Sequence, residues 1–343
     1  MTHDARNLEL EQAIRSSPDN DDAYIALGVW LRDQGDVRGE LNALQCAGDT
    51  RAAAKLLDEN AAYFLGPLSH HKEAFRWRGG FIESISLYGY GSSGWPALID
   101  DTLGHPSGRF LTTIRLNFDD ASQYLQPVLD LLARRKPTTL LSIAIFEPHD
   151  FGRFEGLWPS VPNLRELVID GGRHDLGSQI QLPELRRGTF RIGAGLRKAN
   201  LKAITRATWP NLEFLEIWVD EDSTINEIEP LLARRDLEKL VHLGLRNAGF
   251  ADEVIERMVN SSILKQLRHL DLSMGVLSDE GALLIARNRA EFQHLDVLDV
   301  SQSYLSKAGI LALEGAAKSV ITAEQREVDE TYYRRPVLTK LRD

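Results

Sequence analysis

Two groups of residues have the types and spacing that chemistry would use, and the first is a glycine motif. Gly89-Tyr90-Gly91-Ser92-Ser93-Gly94 has the spacing of a loop that holds a dinucleotide pyrophosphate at a helix N-terminus. An apolar segment precedes it, and Asp119 and Asp120 end the next such segment. The same strand–loop–helix context recurs along the chain, however, so we expect an ordinary loop here and assign no cofactor.

The second group is His242, His269 and Asp271. The two histidines occupy the same position in adjacent copies of a repeated segment, and Asp271 follows His269 by two residues. If the copies form neighbouring strands about 5 Å apart, the three side chains could share a metal ion. Zinc would need one further ligand or a water. We favour residues that contact a partner, and we predict no metal site.

The sequence offers little else for catalysis. Cys46 is the only cysteine, so no intramolecular disulfide can form, and we expect it to be a buried small apolar residue on a helix. No nucleophile elbow, phosphate-binding loop or metalloprotease motif is present. The acidic segment Asp220-Glu221-Asp222 lacks the glycine and the terminal glutamate of a calcium loop. We therefore predict that the protein is not an enzyme.

A segment that is repeated along the sequence predicts the strands and helices on which these residues lie. A core of the form apolar-x-x-apolar-x-apolar recurs nine times, with 21 to 29 residues between successive copies. The copies are Ile82–Leu87, Leu111–Leu116, Leu140–Ile145, Leu164–Ile169, Leu185–Phe190 (degenerate), Leu212–Ile217, Leu240–Leu245, Leu267–Leu272 and Leu295–Val300. The fourth and sixth positions are two residues apart, so both point to one face of a short strand.

The residues of each copy that follow the apolar core are enough for a loop, a helix and a segment that leads back to the next strand. Helical periodicity is clear at Val254–Met258, at Ala282–Ala286 and at Ile310–Leu313. One strand and one helix cannot bury their own apolar face, whereas stacked copies can. The pattern therefore predicts an α/β solenoid in which parallel strands line one side and helices cover the other.

The later copies resemble a known class of repeat. Leu267-Arg-His-Leu270-Asp-Leu272-Ser, followed by Leu277-Ser-Asp-Glu-Gly-Ala, is similar to the long leucine-rich repeats of the ribonuclease-inhibitor type. The resemblance covers roughly residues 80–320. It implies a horseshoe whose parallel strands form a concave binding face, and it implies almost nothing about which partner is bound.

The N-terminal residues follow a different pattern. Apolar positions predict two helices parted by Ser17–Asn20 and a third helix after Asp36. The segment from Asp22 to Gln45, with Trp30-Leu31-Arg32-Asp33-Gln34-Gly35-Asp36, resembles the bacterial repeat-companion domain; a tetratricopeptide-like helix pair is the alternative. We predict a small helical domain at 1–50, a helical linker or cap at 51–80, the solenoid at 81–318, and a C-terminal cap strand and tail at 319–343.

Composition limits the partners and the location. The net charge is −10, which argues against nucleic acid and against anionic membranes. No apolar run approaches the roughly 18 residues of a membrane span, and the first residues do not have the pattern of a secretory signal. With a single cysteine, these features favour a cytoplasmic protein.

The predicted binding face consists of the third, fifth and seventh positions of the copies. Phe214 and Trp218 share one strand of this face, with arginines on the strands to either side, which is the composition of interface hot spots. The alternative is that irregular copies shift register, or that another domain or a second copy covers these rings. The predicted partner-binding residues are Phe146, Arg187, Arg191, Phe214, Glu216, Trp218, His242, Arg246, His269 and Asp271.

The sequence leaves three functional hypotheses. The leading one is an interaction module (a scaffold, adaptor, inhibitor or immunity factor) that binds another protein on the concave face. The second is an enzyme with a nucleotide site at Gly89–Gly94 or a metal site at His242 and His269. The third is a homo-oligomeric structural protein that fills its own face.

Overall fold

The computed structural model describes residues 4–89, 92–118, 123–147, 151–192, 198–219 and 223–327. The chain divides into two compact units. The first comprises Met1–Ile145 with Pro159–Leu164, and the second comprises Phe146–Trp158 with Arg165–Asp343. Asp119, Asp120, the acidic segment at 220–222, the centre of the glycine motif at 90–91 and the tail after Glu327 lie outside the described residues.

The first unit begins with helices and continues into strands that alternate with helices. Asn7, Asn20, Asp36 and Asp49 each accept a backbone N–H bond at the start of one of the first four helices, as N-cap residues do. The elements are α1 (Leu8–Ser16), α2 (Asp21–Asp33), α3 (Val37–Cys46), α4 (Thr50–Glu59), α5 (Ala61–Phe64), a 3₁₀ segment (Gly66–Ala74), β1 (Phe75–Arg78), β2 (Phe81–Gly89), α6 (Trp95–Gly104), β3 (Thr113–Phe118), α7 (Leu125–Arg135) and β4 (Ser142–Phe146).

The N-terminal helices pack directly on the first strands. Strand β1 pairs with β2 in the antiparallel direction, and β2 pairs with β3 in parallel. Tyr24 of α2 contacts Phe110 edge to face with ring centroids 6.0 Å apart, and Phe110 contacts Phe81 at 4.7 Å. Ile14 and Leu27 belong to the same buried cluster. The three helices predicted before residue 47 are thus present and join the core of the first strands.

A buried carboxylate strengthens this junction. Glu11 of α1 is fully buried and pairs with Arg6, with Arg15 and with Arg109, whose Nη1 lies 2.8 Å from Oε1 of Glu11. Burial alone would raise the pKa of Glu11, but the hydrogen bond from Arg6 and the charge of Arg109 hold that pKa below its usual range. The carboxylate therefore stays charged inside the unit.

The second unit contains strands β5 to β11 in chain order, with helices between most of them. Neighbouring strands pair in parallel wherever their register is described. The elements are β5 (Glu166–Asp170), β6 (Arg187–Arg191), α8 (Lys198–Thr205), β7 (Phe214–Trp218), α9 (Ile225–Leu232), β8 (His242–Arg246), α10 (Ala251–Met258), α11 (Ser262–Gln266), β9 (His269–Asp271), α12 (Asp279–Arg287), α13 (Arg289–Phe292), β10 (Val297–Asp299), α14 (Lys307–Ala312) and β11 (Ser319–Ile321).

The strands follow the register of the repeat. From the second copy to the last, each strand begins at the third position of the apolar core. The first, fourth and sixth positions are almost all buried; in β7, for example, Leu212, Leu215 and Ile217 are fully buried while Phe214, Glu216 and Trp218 are half-buried. The α/β solenoid architecture predicted from the sequence is confirmed, and the degenerate copy at Leu185–Phe190 forms an ordinary strand.

An aspartate links α10 to α12, and another links α12 to α14. Asp252 of α10 accepts hydrogen bonds from the backbone N–H (2.9 Å) and the hydroxyl (2.6 Å) of Ser278, the N-cap of α12. Asp279 of α12 accepts the same two bonds, at the same lengths, from Ser306, the N-cap of α14. A Cβ at Gly281 would lie 2.3 Å from Oδ1 of Asp252, so glycine makes this contact possible.

One prediction for the first unit is wrong. Cys46 is exposed, not buried, because it lies in the last turn of α3 on the side where that helix borders a groove.

No helix in the described ranges is both long and apolar enough to cross a bilayer.

We expect Glu11→Gln to lower the free energy of unfolding by about 3 kcal/mol, because it leaves three arginines around a neutral buried group. The lowered pKa of Glu11 stabilises the fold above pH about 4.5, and this contribution is lost as the pH falls through the pKa of the folded state. Urea unfolding at pH 7 and pH 4 measures both effects. The control Glu59→Gln alters an exposed glutamate and should change stability by less than about 0.5 kcal/mol. Equal effects of the two variants would contradict the role of Glu11.

Candidate functional site

Parallel pairing of β6, β7, β8 and β9 brings nine of the ten predicted partner-binding residues together. The register aligns Arg187, Phe214, His242 and His269 as one row across the strands. A second row contains Arg191, Trp218 and Arg246, and Glu216 and Asp271 lie between the two rows. We call this surface, formed by the half-buried and exposed side chains of β6–β9, the arginine–aromatic face.

The first row is a continuous stack of flat groups. The guanidinium carbon of Arg187 lies 4.1 Å from the centre of the Phe214 ring. The rings of Phe214 and His242 are nearly parallel, at 17°, with centroids 4.0 Å apart, and the ring of His269 follows at 5.7 Å. Arg187 is exposed, and no ion pair holds it among the described residues. The row thus ends in an accessible cation.

In the second row, an indole lies between two guanidinium groups. Arg191 and Arg246 lie 4.3 Å and 4.4 Å from the ring centre of Trp218. The indole N–H donates to Oε1 of Glu216 at 2.6 Å. Two cation–π contacts and a hydrogen bond fix one orientation of Trp218. The ring is therefore partly covered by the arginines of the neighbouring strands.

Carboxylates hold the arginines of the second row in place. Arg246 lies 3.5 Å from Oε1 of Glu216 and 3.5 Å from Oδ2 of Asp271, and its Nε donates to the hydroxyl of Ser273 at 3.1 Å. Arg191 lies 3.7 Å from Oδ1 of Asp170. Gly244 leaves room for Glu216, since a Cβ there would be 3.1 Å from Cγ of Glu216.

Burial shifts the protonation of several of these groups. Burial raises the pKa of Asp271, although the hydrogen bonds from Ser273 and the charge of Arg246 act to lower it. It likewise raises the pKa of Asp170, against the charge of Arg191. Burial, together with the charge of His269, lowers the pKa of His242 to about 4. Within the described part of the chain, Nε2 of His242 is buried without a hydrogen-bond partner, so this imidazole is neutral at pH 7.

The positions of these residues do not support the two chemical alternatives, a metal site at His242 and His269 or a nucleotide site at Gly89–Gly94. The rings of His242 and His269 are tilted by 31° with centroids 5.7 Å apart, and no group of three metal-ligating side chains occurs among the described residues. At the glycine motif, Gly89 ends β2 with φ +91° and Ser92–Gly94 form a 3₁₀ turn before α6. The Trp95 ring that follows is buried and lies 4.6 Å from Phe118.

The remaining predicted residue and two residues that hold the arginines complete the description. Phe146 ends β4 and is half-buried, and it lies on none of the strands β6–β9 that form the arginine–aromatic face. Asp170 and Ser273, which hold Arg191 and Arg246, belong to the predicted face but were not among the ten residues predicted to bind the partner. Both occupy the seventh position of their copies, and that position is the signal that could have identified them.

Two solved structures are similar to this chain, and the first of them supports the fold. A Bacteroides fragilis protein, solved by a structural genomics consortium, is similar over 84% of this chain and 85% of its own length, at 22% identity with a TM-score of 0.62. An internalin from Listeria monocytogenes is similar over 65% of this chain and 57% of its own, at 18% identity with a TM-score of 0.38. No protein-family model and no curated protein matches the chain.

The fold and the face together define a class. The chain is an α/β repeat protein with one strand per copy of the apolar core and a largely parallel sheet, an architecture that fits a leucine-rich-repeat solenoid. The Bacteroides protein shares this fold over 84% of the chain.

We expect Arg246→Ala to lower the free energy of unfolding by about 2 kcal/mol, because it leaves Glu216 and Asp271 without their shared cation and uncovers one face of Trp218. Urea unfolding followed by tryptophan fluorescence measures the loss. Arg268→Ala, at an exposed arginine just before β9, should cost less than about 0.5 kcal/mol. If both variants cost the same, the stack does not stabilise the second unit.

We expect His242→Phe to reduce the loss of stability between pH 6.5 and pH 4. Because the pKa of His242 is lowered to about 4, the unfolded chain takes up this proton first as the pH falls below 6.5, and the folded state is progressively destabilised. Phenylalanine keeps the stack with Phe214 and removes on the order of 2 kcal/mol of this loss. Unfolding curves from pH 7.5 to 4 measure it, and His70→Phe, at an exposed site, is the control. A slope unchanged by His242→Phe would show that His242 does not titrate in this range.

Proposed function

We propose that this protein is a protein-binding module and that the arginine–aromatic face of β6–β9 contacts its partner. One observation carries the proposal: two rows of arginine and aromatic side chains run side by side, one across the four strands β6–β9 and one across the three strands β6–β8. Tryptophan and arginine are the residues that most often dominate binding energy at protein interfaces.

The stacks support binding through their rigidity as well as their composition. The central groups of the rows are held on both sides, as Phe214 is by Arg187 and His242, and as Trp218 is by Arg191 and Arg246. The indole of Trp218 is also held by Glu216. A partner that docks on such a surface freezes few side chains that were not already ordered, so less binding energy is lost to entropy. Arg187 is the exposed charge that a partner carboxylate would meet first.

The proposal gives the face no catalytic role. Asp170 and Asp271 form ion pairs with arginines, Glu216 accepts from the indole N–H of Trp218, and the unpartnered nitrogen of His242 is buried. We also propose that the helices at the start of the first unit, which resemble the repeat-companion domain, serve to cap its first strands through Tyr24 and Phe110.

We expect Arg187→Glu to abolish capture of a specific partner from a lysate of the source organism, or to weaken its dissociation constant by at least about tenfold. Arg187 is exposed and lacks an ion pair in the described ranges, so this variant should fold normally. Arg186→Glu makes the same charge change at the preceding exposed residue, which lies outside the strand, and should leave capture intact.

Circular dichroism and sedimentation of all three proteins accompany the capture. Equal recovery of the same partner by both variants would move the binding site away from the face. A stable dimer of the wild type that Arg187→Glu dissociates would show instead that the partner is a second copy of this chain.

A further inference from the structure

A cavity in the first unit belongs to no function considered so far. It is a groove of about 640 Å³ bordered by α2, α3, α4 and β1. Ile25 of α2 forms one wall, Ala54 and Leu57 of α4 form the other, and Tyr24 and Trp77 supply aromatic surface. None of its lining residues belongs to the arginine–aromatic face, so the two sites can be tested independently.

The groove exists because α4 keeps its apolar side uncovered. Of the ten residues of α4, only Ala53 is buried, whereas Ala54 is exposed and Leu57 is half-buried. Across the groove, 43% of the Ile25 side chain is exposed. A Cβ at Gly79, where φ is +58°, would lie 2.5 Å from the Tyr24 ring, so the turn between β1 and β2 packs closely on that ring.

The lining is electrically neutral. Its only charged residues are Asp21 and Arg78, which pair with each other at 2.6 Å. Burial raises the pKa of Tyr24 to about 12, so its phenol is uncharged as well. The polar groups that remain are the amides of Asn42 and Gln45, the hydroxyl of Thr50 and the thiol of Cys46.

We propose that this groove binds a small, neutral organic molecule with an apolar body and a hydrogen-bonding group. Its volume lies within the roughly 300–1,000 Å³ of sites that hold such molecules, and an apolar lining with a few polar groups is their usual composition. A protein partner fits less well, because a stable interface takes about 20–30 residues from each side and this groove is lined by fourteen. A charged ligand would find no unpaired opposite charge in the lining.

The thiol of Cys46 in the groove lining can report whether the groove is occupied. Cys46 is the only cysteine of the chain, it is exposed, and its thiol lies 3.6 Å from Oδ1 of Asn42 on the groove wall. Any molecule that fills the groove must shield this thiol from a reagent in solution. Modification of Cys46 by DTNB therefore reports occupancy without knowledge of the natural ligand.

The test uses the neutral fluorescent dye Nile red and the full chain. We expect saturable binding of one dye per chain, with a blue-shifted emission, and slower reaction of Cys46 with DTNB in proportion to the bound dye. Ala54→Trp fills the groove from an exposed position on α4 and should weaken dye binding by about tenfold or more. Lys55→Trp places the same side chain on the next residue of the helix, outside the lining, and should leave binding unchanged. Circular dichroism confirms that both variants fold.

Three results would overturn the proposal. The first is the absence of saturable dye binding. The second is dye binding that leaves the reactivity of Cys46 with DTNB unchanged, or that is equally strong in Ala54→Trp and Lys55→Trp. The third is a thiol that becomes unreactive as protein concentration rises without dye, which would mean that a second copy of the chain covers the groove. None of these outcomes bears on Arg187 or on the proposed partner-binding face.

Discussion

Hydrogen bonding between a strand and the strand of the next repeat is the interaction on which the rest of the second unit depends. No strand there exceeds five residues, so none could persist alone in water. Pairing Phe214 with His242, and His242 with His269, fixes where every other side chain of those strands must lie. The leucines at the first, fourth and sixth positions can then be buried, because each copy covers the apolar surface of the one before it.

The same pairing explains the geometry of the arginine–aromatic face. Parallel strands without a register shift place equivalent positions about 4.8 Å apart. That spacing is close to the separation at which flat groups stack, so aromatic and guanidinium groups at one position of successive copies meet face to face. The separations of 4.0 to 4.4 Å between Arg187, Phe214 and His242, and around Trp218, follow from this coincidence. Gly244 adds the space that lets Glu216 reach both the indole and Arg246.

The apolar period predicted the strands and their buried positions well, because burial follows directly from a two-residue alternation. It also placed Arg187, Phe214 and His242 in one row. It did not predict that Trp218 is covered by two arginines, since that depends on side-chain torsions and on Asp170 and Ser273, which hold those arginines. The prediction for Cys46 failed for a related reason: helical periodicity identifies an apolar side but not whether another element covers it. The groove beside α4 lies at such an uncovered side.

The aspartate contacts between helices give the repeats a direction. Ser278 begins its helix with bonds to Asp252, and Ser306 does so with bonds to Asp279, so each helix start depends on a residue that precedes it in the chain. A chain emerging from the ribosome would have Asp252 in place before Ser278 is made, and Asp279 before Ser306. Each new helix of this pair could therefore begin on a template that is already folded, and the last repeats could assemble in the order of their synthesis.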